Sequence, residues 1–499
     1  MLKIENSKYN VRTTIICLIL IVIGSILIKF HYFTYEIPIT YDGLLYLLYA
    51  KTTAELGHLP VSYSLDNNGW AIFLSIFFSL FSFNSALEYM NLQRFISMFI
   101  STLTVIPIYF LIRKFFDSKY ALVGAMFFAV EPRLIQNSLL GITESLYLIL
   151  ITITLTLFFS NNKKIIYFSI VISALSTLVR SEGLFLFIAL SVMFVIRFRK
   201  DKWVIPKYLP ALAIFMMVLL PMTIYQTNVL GEDRVVTRVI NGVDRISDSY
   251  VDFALRGIEN YVKFLVWDLI PVFIIFVPIG FLLLLRNLNF HSSTILMYSI
   301  IMSLPALFAY SVPALDTRYL FFLYPGFCIM TIYTINKIVD KNKFKNYIII
   351  IIIISIIISS FTYLEYKKAD HIHEKEAMEI AEYLVKNTKG INDYYPNSKY
   401  IKSLEVMDKW PDVYINPLPF EIKMISEKGH NSLDEFLIDS KSKGITHLVI
   451  DENENRPFFL QEVYNNEEKF PSMIKEFDSE EIEMNYHVKV FKIDYKKLN

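Results

Sequence analysis

Along the first 364 residues, apolar stretches recur between short polar interruptions. A membrane-crossing helix needs roughly 20 mostly apolar residues. The pattern predicts about eleven spans, at about 13–33, 92–112, 119–132, 141–159, 165–180, 183–196, 207–226, 264–285, 294–313, 319–336 and 346–363. The first run is too long for a signal-peptide core and lacks a small-residue cleavage site, so it stays as a helix. A further run from Trp70 to Phe83, about 14 residues long, suits an interfacial or re-entrant helix. From about Tyr363 the pattern changes. His371 to Asn387 has helical periodicity. Asn431 to Gly444 reads as a capped helix closed by glycine, leading into a β-type run from Thr446 to Asp451. His487 to Tyr495 alternates like an edge or terminal strand. No internal repeat is visible. The fold expected is a membrane all-α polytopic bundle over residues 1–363, followed by a soluble α/β domain over 364–499.

The basic residues orient the bundle. Lys3, Lys8 and Arg12 precede the first span, and Arg113, Lys114 and Lys119 follow the second. Lys163 and Lys164, then Arg197, Arg199, Lys200 and Lys202, then Arg286, then Lys337, Lys341, Lys343 and Lys345 fall at every second turn. Cytoplasmic loops carry the excess of Lys and Arg. Counting the Trp70–Phe83 run as a span would move Arg113, Lys114 and every later cluster to the outside. The expectation is therefore an integral, multi-pass protein of the plasma membrane, with a cytoplasmic N-terminus and an extracytoplasmic C-terminal domain.

Composition agrees. Hydrophobic residues make up 54% of the 499 positions, charged ones 19%, and the mean hydropathy is +0.44. Soluble domains are about 45–50% apolar and about 25% charged, so one soluble core cannot hold this chain. Disorder, collagen-like sequence and a small disulfide scaffold are excluded as well. The net charge of +1 conceals an asymmetry: residues 1–364 carry 29 basic and 20 acidic side chains, and residues 365–499 carry 19 and 27. A basic membrane body thus precedes an acidic tail, and nothing points to nucleic acid. Cys17 and Cys328 both lie in apolar runs and form no metal motif.

Charged groups at membrane-helix ends facing one aqueous side are the first candidates for chemistry. Four places stand out, all on the expected outer side. Asp42 follows the first span and opens an amphipathic stretch suited to the membrane surface; it also suits a helix N-cap. Glu144 lies at the outer end of the fourth span, where an acid complements the helix dipole. Glu131 and Arg133 lie at the facing end of the third span, and pairing of Arg133 with a carboxylate is a purely structural alternative. Arg180 and Glu182 occupy a tight turn, where opposite charges can simply solvate the turn. Asp316, Arg318 and Tyr319 begin the tenth span; Arg318 can snorkel to headgroups or grip a lipid phosphate through its planar fork. Carboxylates supply a general base or ligands for a hard cation, and arginines anchor a phosphate leaving group. His58, in the first outer loop, reads as a solvated histidine with the cavity within its reach.

In order and spacing these segments resemble a GT-C-type membrane glycosyltransferase, close to the protein O-mannosyltransferases and the bacterial lipid A aminoarabinose transferases. The resemblance rests on Asp42 and the surface helix after it, on RFISMFISTLTVIPIYFLIRKFF, AVEPRLIQNSLLGITESLYL and LVRSEG, and on DTRYLFFLYP. It spans most of residues 10–340. It implies a polyprenyl (dolichyl-type) phosphate sugar donor, hexosyl or pentosyl, with inversion at the anomeric centre. Asp42 would be the catalytic base or the carboxylate that orients the acceptor, Glu144 the second acid, and Arg318, with Arg180, the holder of the donor phosphate. Many relatives carry an acid directly after the first-loop aspartate; here it is Gly43, which weakens assignment to the protein mannosyltransferases in particular. Metal dependence varies among relatives, so no cofactor is inferred and a divalent cation stays open.

The function expected is transfer of a sugar to a protein, glycan or lipid acceptor at the outer face, with membrane lipid around the site. The rivals are a lipid-sugar flippase or transporter, an oligosaccharide transferase with a lipid-pyrophosphate donor, and a scaffold presenting the tail. Transporters carry ionisable groups or broken helices at mid-membrane; here the ionisable groups gather at span ends.

Overall fold

The structure, a computed structural model, describes residues 11–39, 41–60, 65, 67–83, 85–199, 203–231, 249–312, 314–339, 342–369, 430–442, 447–452 and 456–498, with single positions between 371 and 379. In chain order the helices are α1 (Val11–His31), α2 (Tyr41–Leu56), α3 (Gly69–Leu80), α4 (Ala86–Leu103), α5 (Val105–Ile112), α6 (Ser118–Ala129), α7 (Pro132–Ser138) and α8 (Glu144–Phe158). There follow α9 (Lys163–Val179), α10 (Gly183–Phe198), α11 (Val204–Leu230), α12 (Tyr250–Leu269), α13 (Phe276–Arg286) and α14 (Phe290–Ser311). A 3-10 turn at Thr317–Leu323 leads into α15 (Tyr324–Val339) and then α16 (Lys345–Tyr366). The chain forms two compact units. One comprises 1–33, 63–73 and 93–368; the other comprises 34–62, 74–92 and 369–499.

Six stretches among the described residues are long and apolar enough to cross a membrane: α1, α4 with α5, most of α11, α14, the 3-10 turn with α15, and α16. Other expected spans fall on shorter apolar helices, α6, α8, α10 and α13 among them. Burial sorts the long ones. The Thr317–Val339 stretch is 83% buried inside the protein, whereas α1 is only 11% buried. Helix α1 accordingly turns Ile15, Ile19, Ile23 and Leu27 outward, which suits contact with acyl chains. Inside the first unit, α8 packs on α9, α12 on α14, and α13 on α15. The last contact needs a glycine: a Cβ built on Gly280 would lie 2.0 Å from the Met330 carbonyl oxygen.

Prolines account for three departures from the expected spans. The stretch 264–285 is two helices, because Pro271 offers no N–H and restricts the residue before it. Helix α12 ends at Leu269, and Ile270 takes extended backbone (φ −84°, ψ 137°). Residues 250–263 of the expected loop 227–263 belong to α12. The expected loop 133–140 is mostly α7, with Pro132 at its first position and the Glu131 carboxylate accepting from the Arg133 N–H. The stretch 92–112 begins earlier, at Ala86, and is interrupted at Thr104, where Pro107 withholds the hydrogen bond due to Leu103.

In the second unit, α17 (Leu433–Ser442) and α18 (Phe458–Asn465) accompany three strands: β1 (His447–Asp451), β2 (Met473–Asp478) and β3 (Val488–Ile493). The sheet is antiparallel in the order β1-β3-β2. Phe436, Leu437, Leu448, Val463, Val490 and Phe491 form its apolar core. The alternating segment expected as an edge or terminal strand is the last of the described strands in the chain and the central one in the sheet, paired on both sides. Arg456 braces the end of β1 with two bonds to Asp451, 2.9 and 3.0 Å long. Most of the helix expected at 371–387, and Gly444, lie outside the described residues.

Candidate functional site

A cavity of about 380 Å³ opens in the first unit. Three cationic side chains line it: Arg133, Arg318 and Lys367. Gln136, Asn137, Asp316 and Thr317 add polar groups, and Leu140, Phe264, Trp267, Phe321 and Tyr363 form apolar walls. Ligand pockets commonly run from about 300 to 1,000 Å³, mostly apolar with a few placed polar groups. A lining of cations and apolar side chains suits an anionic head on an apolar chain.

The placement of each cation follows from a helix end. Asp316 caps the 3-10 turn by accepting from the Arg318 N–H at 2.9 Å, and its second oxygen stands 3.3 Å from Arg318 Nε. The Arg318 guanidinium lies over the Tyr319 ring at 5.6 Å and stays 27% exposed. Helices end with unsatisfied carbonyls; Arg133 Nη1 meets one by donating to Ile270 at 2.7 Å. The Arg133 guanidinium also stacks on Tyr363 at 4.7 Å, and its Nε lies 4.0 Å from Asp268. Behind it, Tyr324 donates to Asp268 Oδ1 at 3.0 Å and lies 3.4 Å from Glu131 Oε1. Glu131 and Asp268 are fully buried.

Glu144 and Arg180 meet elsewhere in the same unit and are not among the residues lining the cavity. Arg180 Nη1 donates to Glu144 in a close ion pair and to the Thr143 hydroxyl at 3.1 Å, while Nη2 donates to Glu182 at 2.8 Å. Two acids thus hold the arginine expected at the donor phosphate. The 3-10 turn that carries Arg318 packs against α8, the helix that Glu144 begins.

Asp42 belongs to the second unit, at the start of α2, and is half-buried. His58 is exposed, its Nδ1 3.0 Å from the carbonyl of neighbouring Leu59, as for a loop histidine. In the tail, ligand atoms of Glu452, Glu480 and His487 lie within 4.8 Å of one another. His487 Nδ1 is 2.9 Å from Glu452, whose hydrogen bond raises the imidazole pKa above its ordinary value.

The sequence profile of the family described as Dolichyl-phosphate-mannose-protein mannosyltransferase matches residues 69–225. ArnT from Cupriavidus metallidurans, solved bound to undecaprenyl phosphate, superposes with a TM-score of 0.64 at 9% identity, over 95% of this chain and 97% of that one. This is a GT-C fold. The Archaeoglobus fulgidus oligosaccharyltransferase, solved with zinc and sulfate, gives a TM-score of 0.62 at 13% identity, over 87% of this chain and 68% of that one. The same archaeal enzyme, AglB, solved with an inhibitory peptide and a dolichol-phosphate, gives 0.60 at 12% identity, over 97% and 75%. No curated protein sequence matches the chain. The GT-C resemblance read from the sequence therefore holds at the level of fold, which the chain shares with ArnT and the archaeal oligosaccharyltransferase.

Sequence reasoning missed Asp268, Tyr324, Tyr363 and Lys367. Asp268 had a signal: it is a lone acid in the apolar run KFLVWDLIPVFIIF, and ionisable groups in such runs are functional candidates by default. Tyr324, Tyr363 and Lys367 resemble ordinary membrane-interface residues, and only the fold distinguishes them.

Proposed function

We propose that this protein is a membrane glycosyltransferase that takes a sugar from a polyprenyl (dolichyl-type) phosphate donor and moves it to an acceptor hydroxyl or amine at the outer membrane face. The observation that carries this reading is the cavity lined by Arg133, Arg318 and Lys367 together with apolar side chains. A polyprenyl phosphate has that chemistry: an anion at the head and a hydrocarbon tail. ArnT and AglB, solved with such lipid phosphates, share the fold.

In this reading Arg318 and Arg133 hold the donor phosphate. As the bond from C1 to the phosphate oxygen breaks, negative charge grows on the leaving lipid phosphate. Fixed cations at that point lower the barrier without having to reorganise. Asp42 accepts the proton of the attacking acceptor, so the acceptor oxygen or nitrogen bonds C1 as the phosphate leaves. Glu144, paired with Arg180, positions the helix end beside the Arg318 turn rather than taking the proton itself. Glu182 completes that ion-pair group.

The test is to supply purified protein with a panel of polyprenyl-phosphate sugars and a set of protein, glycan and lipid acceptors, and to follow release of free lipid phosphate. One donor should release it only when an acceptor is present. No release from any donor, with folded protein, contradicts the reading. Release only from lipid-pyrophosphate oligosaccharides would reassign the donor.

A further inference from the structure

Behind the cavity lies a buried acid pair that the transfer reaction does not use. Glu131 and Asp268 have no solvent exposure, and each has one carboxyl oxygen, Oε2 and Oδ2, without a hydrogen-bond partner. They differ in their charged neighbours. Asp268 lies 4.0 Å from Arg133 Nε. Glu131 forms no ion pair among the described residues; it receives only the Arg133 backbone N–H at 3.3 Å and faces the Tyr324 hydroxyl at 3.4 Å.

Tyr324 has one proton to give. Its shorter contact, 3.0 Å, assigns that proton to Asp268 Oδ1. An ionised Glu131 would then set a lone pair against the lone pair of the same phenol oxygen. A proton on Glu131 Oε1 turns this clash into a donated hydrogen bond. The chain then runs from Glu131 to Tyr324 to Asp268, which stands beside Arg133. A buried carboxylate without a counter-ion takes up a proton rather than keep its charge. Among the described residues, the titratable and charged groups that face the pair are Arg133, Tyr324, Tyr363, Tyr261, Tyr310, Cys328 and Asp316; of these, only Arg133 is cationic.

We propose that Glu131 is held as a neutral acid that donates to Tyr324, while Asp268 carries the charge that orients Arg133. The consequence, which rests on the lipid-phosphate reading, concerns the charge beside Arg133. An ionised Glu131 would add a second negative charge beside Asp268, behind Arg133. A neutral Glu131 adds none, so Arg133 is the less neutralised and the better able to meet an anion. Glu131 and Asp268 are thus positioning residues for a phosphate-holding arginine.

The protonation state can be read without any activity. Infrared spectra of the purified full-length protein at neutral pH should contain the carbonyl stretch of a protonated carboxyl group. That band should shift when glutamate, but not aspartate, is ¹³C-labelled. It should vanish in Glu131→Gln and persist in Asp268→Asn. Absence of the band in the wild type, as two ionised acids around a bound cation would produce, overturns the assignment. So does a band that follows the aspartate label. If Glu131→Gln fails to fold, Glu131→Asp decides, because the band should then leave the glutamate label and follow the aspartate label. A glutamate band in a protein that binds no lipid phosphate would keep this assignment and defeat the functional reading instead.

Discussion

Arg318 is held on two sides: its backbone N–H is capped by Asp316 and its Nε is paired with the second oxygen of that residue. Its side chain lines the cavity. If Arg318 only snorkels to headgroups, lysine should replace it well. If it grips a phosphate through the fork, lysine keeps the charge and loses the geometry. Losing one charge-assisted contact costs about 1.5–3 kcal/mol, roughly tenfold to a hundredfold in affinity. Arg318→Lys should therefore raise the donor concentration for half-maximal transfer, and Arg318→Ala should raise it further, at unchanged protein level. The helix begins at Tyr41, so Asp42 is a first-turn acid rather than the N-cap; Asp42→Asn keeps the shape and removes the base, so turnover should fall about 10²-fold or more while folding is kept, and near-normal turnover would leave Asp42 as an acid that complements the helix dipole. Single residues were partly legible from sequence. Arg133, Glu131 and Arg318 stood out because charges at span ends are conspicuous. That Arg180 would be held by Glu144 and Glu182 was not legible, because pairing depends on which helix ends the fold brings together.

At the scale of elements, hydrophobic runs located the helices and prolines decided where they stop. The break at Pro271 frees the Ile270 carbonyl that Arg133 binds, so a feature that periodicity reads as an interruption of a span builds part of the site. Close helix contact is set by small residues, as is common in membranes. Gly280 lets α13 lie against the α15 backbone. Gly280→Ala should force the two helices apart, at the ~1–3 kcal/mol or more typical of overpacking. The measurement is the thermal unfolding midpoint in detergent, which should drop clearly; an unchanged midpoint would mean that the contact is looser than the structure has it. Strand β3 shows what alternation alone cannot tell. Its period of two marks a strand, but whether one or two neighbours pair with it depends on the rest of the chain.

Over the whole molecule, apolar content and the length of its runs identified a membrane bundle, and motif order identified its fold type. The number of spans was less legible, because helices such as α6 and α8 are enclosed by others and need not match the bilayer thickness. The second unit was not legible as such, since it joins the tail to 34–62 and 74–92, a grouping that no local pattern carries. Orientation rests on the alternation of basic clusters. Reporter fusions after Lys164, Lys200 and Lys343 should read cytoplasmic, and a fusion after Asn499 should read external; a cytoplasmic tail would reverse the map.

The central claim is that Arg133 and Arg318 hold the phosphate of a polyprenyl lipid. Its most direct test is equilibrium binding of undecaprenyl phosphate and dolichyl phosphate to the purified protein, with the unphosphorylated alcohols as controls. The account predicts saturable binding that needs the phosphate and is weakened at least about tenfold by Arg133→Ala and by Arg318→Ala. Equal binding of phosphate and alcohol, or affinity indifferent to both substitutions in folded protein, would contradict it.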